Sequence, residues 1–551
     1  MLAVLQFDSP SLAVLDRMLD AGRLPALAGL RERGVWHELE TPATHFAAGA
    51  FHTLYSGTEL ADHGLFYPFQ WSAPDQRVRY TTAFRAPPPV WERPGGRALA
   101  MDPYESRPPL TPPAGTVVSG WQFTDRVVLQ PWSSPAGLNT RLETLFGPPA
   151  AVEEVFGRSS PRDLLRLRRD LLASSGRAAD AAALLLAESS YDLTWLTFSA
   201  GHVAGHQFFD LSQLPESDGG ADAATRRVLG GALEEIYRSV DAAFDRVLAA
   251  LPEGADVIVT SPVGMDVNTS RADLLPEMLD AVLSGVRSEA HTGSGFVWRL
   301  RAALPTGLRA RVASALPDKV ALALTERLEL RGQDWTTTRA FAQPADNQGY
   351  VRLNLRGRER DGIVEPTQAE ALMDEIATGL MTFTDPDGTP AVKAVERVAD
   401  TFDAGVHSDR LPDLIVRWSD RPATRLSHVR SERFGTVDRR GHGSGRSGNH
   451  TAGDAWALVV PGASTPRTPA RPPRLVDIAA TAAALAGRDA ADLPGEPLLE
   501  PKAGPPPPTA TSRRAALSSD RFRRAARSSG RCLELEGSAR VRIPTNGTLV
   551  G

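Results

Sequence analysis

The sequence predicts an α/β fold built on a central, mostly parallel sheet with helices on both faces. Two observations carry this. The segments 2–7 (LAVLQF), 191–198 (YDLTWLTF) and 255–261 (ADVIVTS) are apolar nearly throughout, the pattern of strands covered on both faces. Helical periodicity separates them, as the alternation of strand and helix in a parallel sheet requires.

The elements follow in order along the 551 residues. The first strand ends at Asp8, and leucines 12, 15, 19, 24, 27 and 30 then repeat with helical spacing. Residues 66–160 are rich in proline and aromatics with weak periodicity, and read as an inserted cap. A helix is expected over 161–190, with Pro161 in its first turn. The strand 191–198, a long helix over 222–250 and the strand 255–261 come next. Residues 270–345 read as a second, largely helical cap. GYVRLNLRGRERDGIV at 349–364 opens as an alternating strand, 412–418 is another strand, 454–462 a late core strand, and 474–487 a terminal helix. The catalytic domain is thus expected over 1–498. Residues 499–551 begin with the proline run PKAGPPPP and continue rich in arginine and serine, as a linker and solvated tail.

Composition narrows the function. With 42% hydrophobic and 23% charged residues the chain is globular, and a net charge of −5 offers no general attraction for nucleic acid or an anionic membrane. One cysteine, Cys532, excludes an internal disulfide framework and a cysteine-rich zinc site. No stretch is long and apolar enough to span a bilayer, and the N-terminus carries no secretory pattern, so a cytoplasmic protein acting on a small molecule is expected. The pattern leaves the oligomeric state open, a homodimer included.

Chemistry concentrates where strands end, in the crevice beyond their carboxyl ends. Asp8 closes the first strand. His202 and His206 follow the 191–198 strand, and His450 lies in a Gly/Ser-rich loop before the late core strand. Histidines four apart on a helical turn point the same way. An isolated H-x-x-x-H serves surface or capping roles as readily as metal binding. Its position here, with a third histidine at another strand end, suits a His₃ metal site.

The opening MLAVLQFDSPSLAVLDRMLDAGRLPALAGLRERG resembles the alkaline phosphatase superfamily, in its type I phosphodiesterase/nucleotide pyrophosphatase branch. LYSGTELADHGLFYP at 54–68, the segments around 349–364 and 410–418, and RSGNHTAGDAWALVVPG near His450 resemble later segments of that branch in the same order. The resemblance implies an alkaline phosphatase-like three-layer sandwich. It also implies two divalent metals clamping a phosphoryl or sulfuryl group.

The chain departs from that pattern. An Asp-x-x-x-His pair of the first metal site aligns with His202 and His206, giving an all-imidazole site completed by His450. At the second site Asp8 is kept, while Pro262 and Val263 occupy the places of an Asp-His pair. The nucleophile position falls at Ala47, with Thr44 the nearest upstream hydroxyl. The resemblance therefore implies one divalent metal, zinc first and iron, manganese or copper as alternatives, held by His202, His206, His450 and Asp8. Asp8 and Thr44 are the candidate catalytic groups. Substrate binding is expected from His45, His52, Arg356, Arg358 and Arg446, arginine being suited to bidentate anion contacts.

The reaction expected is hydrolysis or group transfer on a phosphate- or sulfate-type ester. Two other readings stay open: non-hydrolytic chemistry by a repurposed mononuclear enzyme of specialised metabolism, and a non-catalytic binding protein of the same fold.

Overall fold

The computed structural model describes residues 1–106, 108–109, 113–123, 131–150, 160–212, 214, 221–285, 330, 333–345, 347–439 and 446–502. Eight strands form the central sheet: β1 (Leu2–Phe7), β2 (Val35–Glu38), β3 (Ala98–Met101), β4 (Gly115–Ser119), β5 (Trp132–Ser134), β6 (Leu193–Phe198), β7 (Asp256–Ser261) and β8 (Trp456–Val460). Their spatial order is β2-β8-β7-β1-β6-β3-β4-β5. β1 pairs in parallel with both β6 and β7, and β3 pairs in parallel with β6 and β4. Only β8 and β5 run opposite to the other six strands.

Every residue of β1, β6 and β7 is buried, in keeping with their largely apolar runs. Successive side chains go to opposite layers. Leu5, Phe7, Leu196, Phe198 and Val259 join one core cluster with the helices Leu12–Asp20, Pro161–Glu188 and Ala232–Ala250. Leu2, Val4, Leu193, Trp195 and Ile258 join another with the helices Ala47–Ser56 and Val476–Leu485. These are the two helical layers of the sandwich.

The register fixes the business edge. Phe7 lies beside Phe198, and Trp456 beside Ser261 and Glu38. The residues just after β1, β6, β7 and β2, and just before the antiparallel β8, therefore emerge at one edge. Asp8, Ser199, Pro262, Leu39 and Ala455 begin or end there.

Three features differ from the sequence reading or add to it. Residues 66–160 are more than an inserted cap, since β3, β4 and β5 come from them and complete the central sheet. The segments Gly349–Leu353 and Leu414–Trp418 do not enter that sheet. They belong to a separate four-stranded antiparallel sheet with Ala340–Gln343 and Val392–Arg397, packed on the helices Leu275–Ser284 and Ala369–Leu380. The long helix expected at 222–250 is two, Ala223–Gly230 and Ala232–Ala250, broken at Gly231. Residues 286–329 and 331–332 of the expected helical cap 270–345, and the tail beyond 502, lie outside the described residues. Among the described residues no helix is long and apolar enough to cross a membrane.

Candidate metal centre

β6 runs directly into the helix Ala200–Phe208, all nine residues of which are buried. Four-residue spacing puts His202 and His206 on one face, with ring centroids 4.8 Å apart. The strand Gly448–His450 docks against the C-terminal end of this helix. The Ser447 N–H donates to the His206 carbonyl at 2.8 Å, and the Ser447 hydroxyl accepts from the Phe209 N–H at 3.1 Å. The docking is tight because two glycines face each other: a Cβ on Gly448 would lie 2.3 Å from the Gly205 carbonyl oxygen. Antiparallel pairing with Met265–Val267 sets Met265 opposite His450 and holds the third ring in place.

The result is one cluster. The ligand-capable nitrogens of His202, His206 and His450 all lie within 4.8 Å of one another. The His450 ring centroid is 4.8 Å from that of His202 and 5.1 Å from that of His206. His202 and His206 are 3% and 1% exposed, which removes the solvated-surface alternative for both. Among the described residues this is the only such group of His, Cys, Asp and Glu.

The tautomers follow from the partners. His202 Nδ1 is 3.1 Å from Asp8 Oδ1, and His206 Nδ1 is 3.0 Å from the Gly448 carbonyl oxygen. A carboxylate and a carbonyl only accept, so both Nδ1 atoms carry hydrogen. In neutral rings both Nε2 atoms then present lone pairs, and these face each other at 3.0 Å. Burial, aided by the nearby Arg446 charge and the other two imidazoles, holds the His206 pKa well below its ordinary value, so that ring stays neutral. Two imidazole nitrogens this close are matched by a cation shared between them. A proton bridges two nitrogens; a metal ion serves three, and three are here. Metal–nitrogen bonds of about 2.0–2.1 Å in a tetrahedral site set neighbouring donors roughly 3.3 Å apart, close to the spacing of this pair. The donor set fits a metal.

Residues 2–444 match the model of the type I phosphodiesterase/nucleotide pyrophosphatase family. The chain belongs to that family.

Among solved structures, this family member is similar to phosphonoacetate hydrolase from Sinorhizobium meliloti 1021 in complex with phosphonoformate. That likeness has 14% identity, 88% of this chain and 95% of that chain covered, and a TM-score of 0.46. It is also similar to murine ectonucleotide pyrophosphatase/phosphodiesterase 5, an inactive form in complex with AMP, at 12% identity, 91% and 99% coverage and a TM-score of 0.46. No curated protein matches the chain. Membership of the phosphodiesterase family places this α/β chain in the alkaline phosphatase superfamily.

The other expected site residues are dispersed. Asp8, fully buried, stands behind His202 and accepts from the Ser9 hydroxyl at 3.0 Å; it is not one of the three grouped side chains. Pro262 and Val263 sit at the end of β7. Val263 is 0% exposed in the second core cluster, and the Pro262 carbonyl accepts from the Thr41 hydroxyl at 3.0 Å. Thr44 closes a short turn, its hydroxyl 3.3 Å from the Thr41 carbonyl. His45 pairs with Glu396 at 2.7 Å, toward the second sheet, and burial lowers its pKa.

The arginines divide. Arg446 is buried beside His206 and is the second-largest influence on that ring. Arg358 is taken up by Glu359 at 2.8 Å and by both oxygens of Asp413 at 2.7 and 2.8 Å, and Arg356 pairs with Glu365 on the surface. Their contacts thus lie in the second sheet and its loops. His52 faces Glu105 at 3.2 Å, beside a residue the sequence reading missed: Tyr104, whose ring lies 6.3 Å from that of His202. Tyr104 follows a four-residue strand in the segment read as a cap, and no periodic signal marks it.

Proposed function

We propose that this chain is a metal-dependent hydrolase of small phosphate- or sulfate-type esters with one divalent ion, zinc first, held by His202, His206 and His450. The observation that carries the reading is the grouping of three histidines whose ring nitrogens lie within 4.8 Å of one another, with the Nε2 atoms of His202 and His206 3.0 Å apart. When bound, the ion would supply Lewis-acid polarisation of a phosphoryl or sulfuryl oxygen and a lowered pKa for water.

The chain's own groups do the rest. Asp8 fixes the tautomer and orientation of His202, the outer-shell role of a carboxylate behind a metal-ligating imidazole. The Gly448 carbonyl does the same for His206. Arg446 brings positive charge to the site for an anionic substrate. Overall the P–O or S–O bond to the leaving alcohol breaks; water gives its OH to phosphorus or sulfur and its proton to the alcohol. Pro262 and Val263 support a count of one metal, because neither side chain is a ligand and Val263 is packed in the core. Thr44, bonded within its own turn, is the weaker candidate for a nucleophile, and direct attack by water suits the site better.

Elemental analysis of purified protein tests the reading. Wild type should carry about one equivalent, and His202→Ala and His450→Ala should each lose most of it. Two equivalents in wild type would overturn the single-metal count, and a full equivalent in both variants would overturn the ligand set. A panel of phosphate mono- and diesters and sulfate esters then tests the chemistry; iron or copper with redox activity and no ester cleavage would overturn hydrolysis.

A further inference from the structure

A cavity of about 60 Å³ opens between the helix Ala47–Ser56 and the loops 81–92 and 102–106. That is room for several waters or a small organic group. Tyr104 lines it and also lies against the His202 ring, so the cavity adjoins the metal centre through one side chain.

Its polar lining is one-sided. The Glu105 side chain is only 5% exposed. Its Oε2 accepts from the Thr81 hydroxyl at 3.2 Å and lies 3.2 Å from His52 Nε2. Its Oε1 is buried with no hydrogen-bond partner. An isolated buried carboxylate oxygen is costly and wants a donor. The backbone at Glu105 has φ of 50°, a left-handed conformation that side chains seldom adopt, so this position is held by its surroundings. The second imidazole, His63, cannot supply the donor: its Nδ1 accepts from the Leu65 N–H at 3.0 Å and its Nε2 is turned to the Thr53 hydroxyl at 2.9 Å. Among the described lining residues there is a second carboxylate, Glu92, and no lysine or arginine. The walls are aromatic: Tyr55, Phe84, Trp91 and Tyr104. Carboxylate with aromatic faces is the setting that binds an organic cation.

We propose that this cavity binds a protonated amine, the cationic end of a small ester whose phosphate or sulfate end reaches the three histidines. The word ester rests on the hydrolase reading; the amine site does not.

Kinetics on the metal-loaded full chain test it with a matched pair, 2-aminoethyl and n-propyl 4-nitrophenyl phosphate. Wild type should favour the amine by at least about tenfold in kcat/KM, through KM, a difference of about 1.4 kcal/mol. Glu105→Gln should bring the ratio near unity. A wild-type ratio near unity, or a ratio unchanged in Glu105→Gln, would overturn the proposal. Should Glu105→Gln fail to fold by circular dichroism, calorimetry of wild type with phosphoethanolamine and n-propyl phosphate decides: tighter binding of the amine supports the site and equal binding overturns it. If neither ester is cleaved, calorimetry with phosphoethanolamine decides separately. Binding that weakens in Glu105→Gln keeps the amine site while the hydrolase reading fails; no binding overturns the amine site as well.

Discussion

Asp8 shows how one residue's role depends on which atom it faces. A carboxylate at the end of the first strand has the chemistry of a metal ligand. Here it meets the far nitrogen of His202 and sits behind the ring instead of beside it. Asp8→Asn keeps the volume and removes the charge that holds the Nδ1 hydrogen. Losing such an outer-shell partner costs about 10–100-fold in metal affinity. Competition with a graded series of chelators should show that drop in the variant, with fold retained by circular dichroism. An affinity equal to wild type would return Asp8 to a structural role. His202 and His206 were legible because a four-residue spacing is short-range information. The Asp8–His202 bond spans 194 residues, and no local pattern reports which of two nitrogens a distant carboxylate will meet.

At the scale of elements, the centre is a helix held at its C-terminal end by a strand. Adding a methyl group at Gly448 would force the strand away from Gly205 and Phe209, whose Cβ lies 2.8 Å from the added atom. Gly448→Ala should therefore lower both thermal stability and metal content, since it parts His450 from His206. Gly29, on the helix Pro25–Arg31, has nothing within 4 Å of an added Cβ and gives the control. Gly29→Ala should raise stability by roughly 0.5–1 kcal/mol through helix propensity and leave metal content alone. Differential scanning fluorimetry with metal analysis checks both. The same scale explains what the sequence hid. β1, β6 and β7 are six residues each, mostly apolar and buried along their whole length, so they stand out. β3 and β5 have four and three residues in a proline-rich region, too short to establish a period. Their strand identity is imposed by pairing: Ala98 to Met101 lie in register with Leu193 to Leu196.

The whole molecule carries a buried charge cost that depends on pH. His63 is 1% exposed, and burial, with smaller contributions from His52, Arg410 and His407, holds its pKa well below the ordinary 6.5. A histidine lowered on folding is neutral in both states above 6.5. Below that value only the unfolded chain takes up the proton. Stability should thus be full above pH 6.5 and fall as pH drops, by up to about 1.4 kcal/mol per pH unit from this one group. Urea unfolding at about pH 7.5 and 5.5 should show a smaller fall in His63→Gln than in wild type; equal falls would show that His63 adds nothing. The layered architecture was readable at this scale because both faces of the sheet are apolar. The second sheet was not. Local pattern marks Gly349–Leu353 and Leu414–Trp418 as strands without saying which sheet they join, and long-range pairing assigns them to the second.

The contact between His206 and Gly448 joins positions 242 residues apart in the chain. An ion shared by His206 and His450 would thus act as a clasp on the backbone, tying the late segment before β8 to the middle of the chain. Such a clasp restricts the unfolded ensemble of a very long loop, where closure entropy is large. Metal supply and folding would then be linked: an ion bound at the centre would also fasten the final strand of the sheet, and protein short of metal would be less durable.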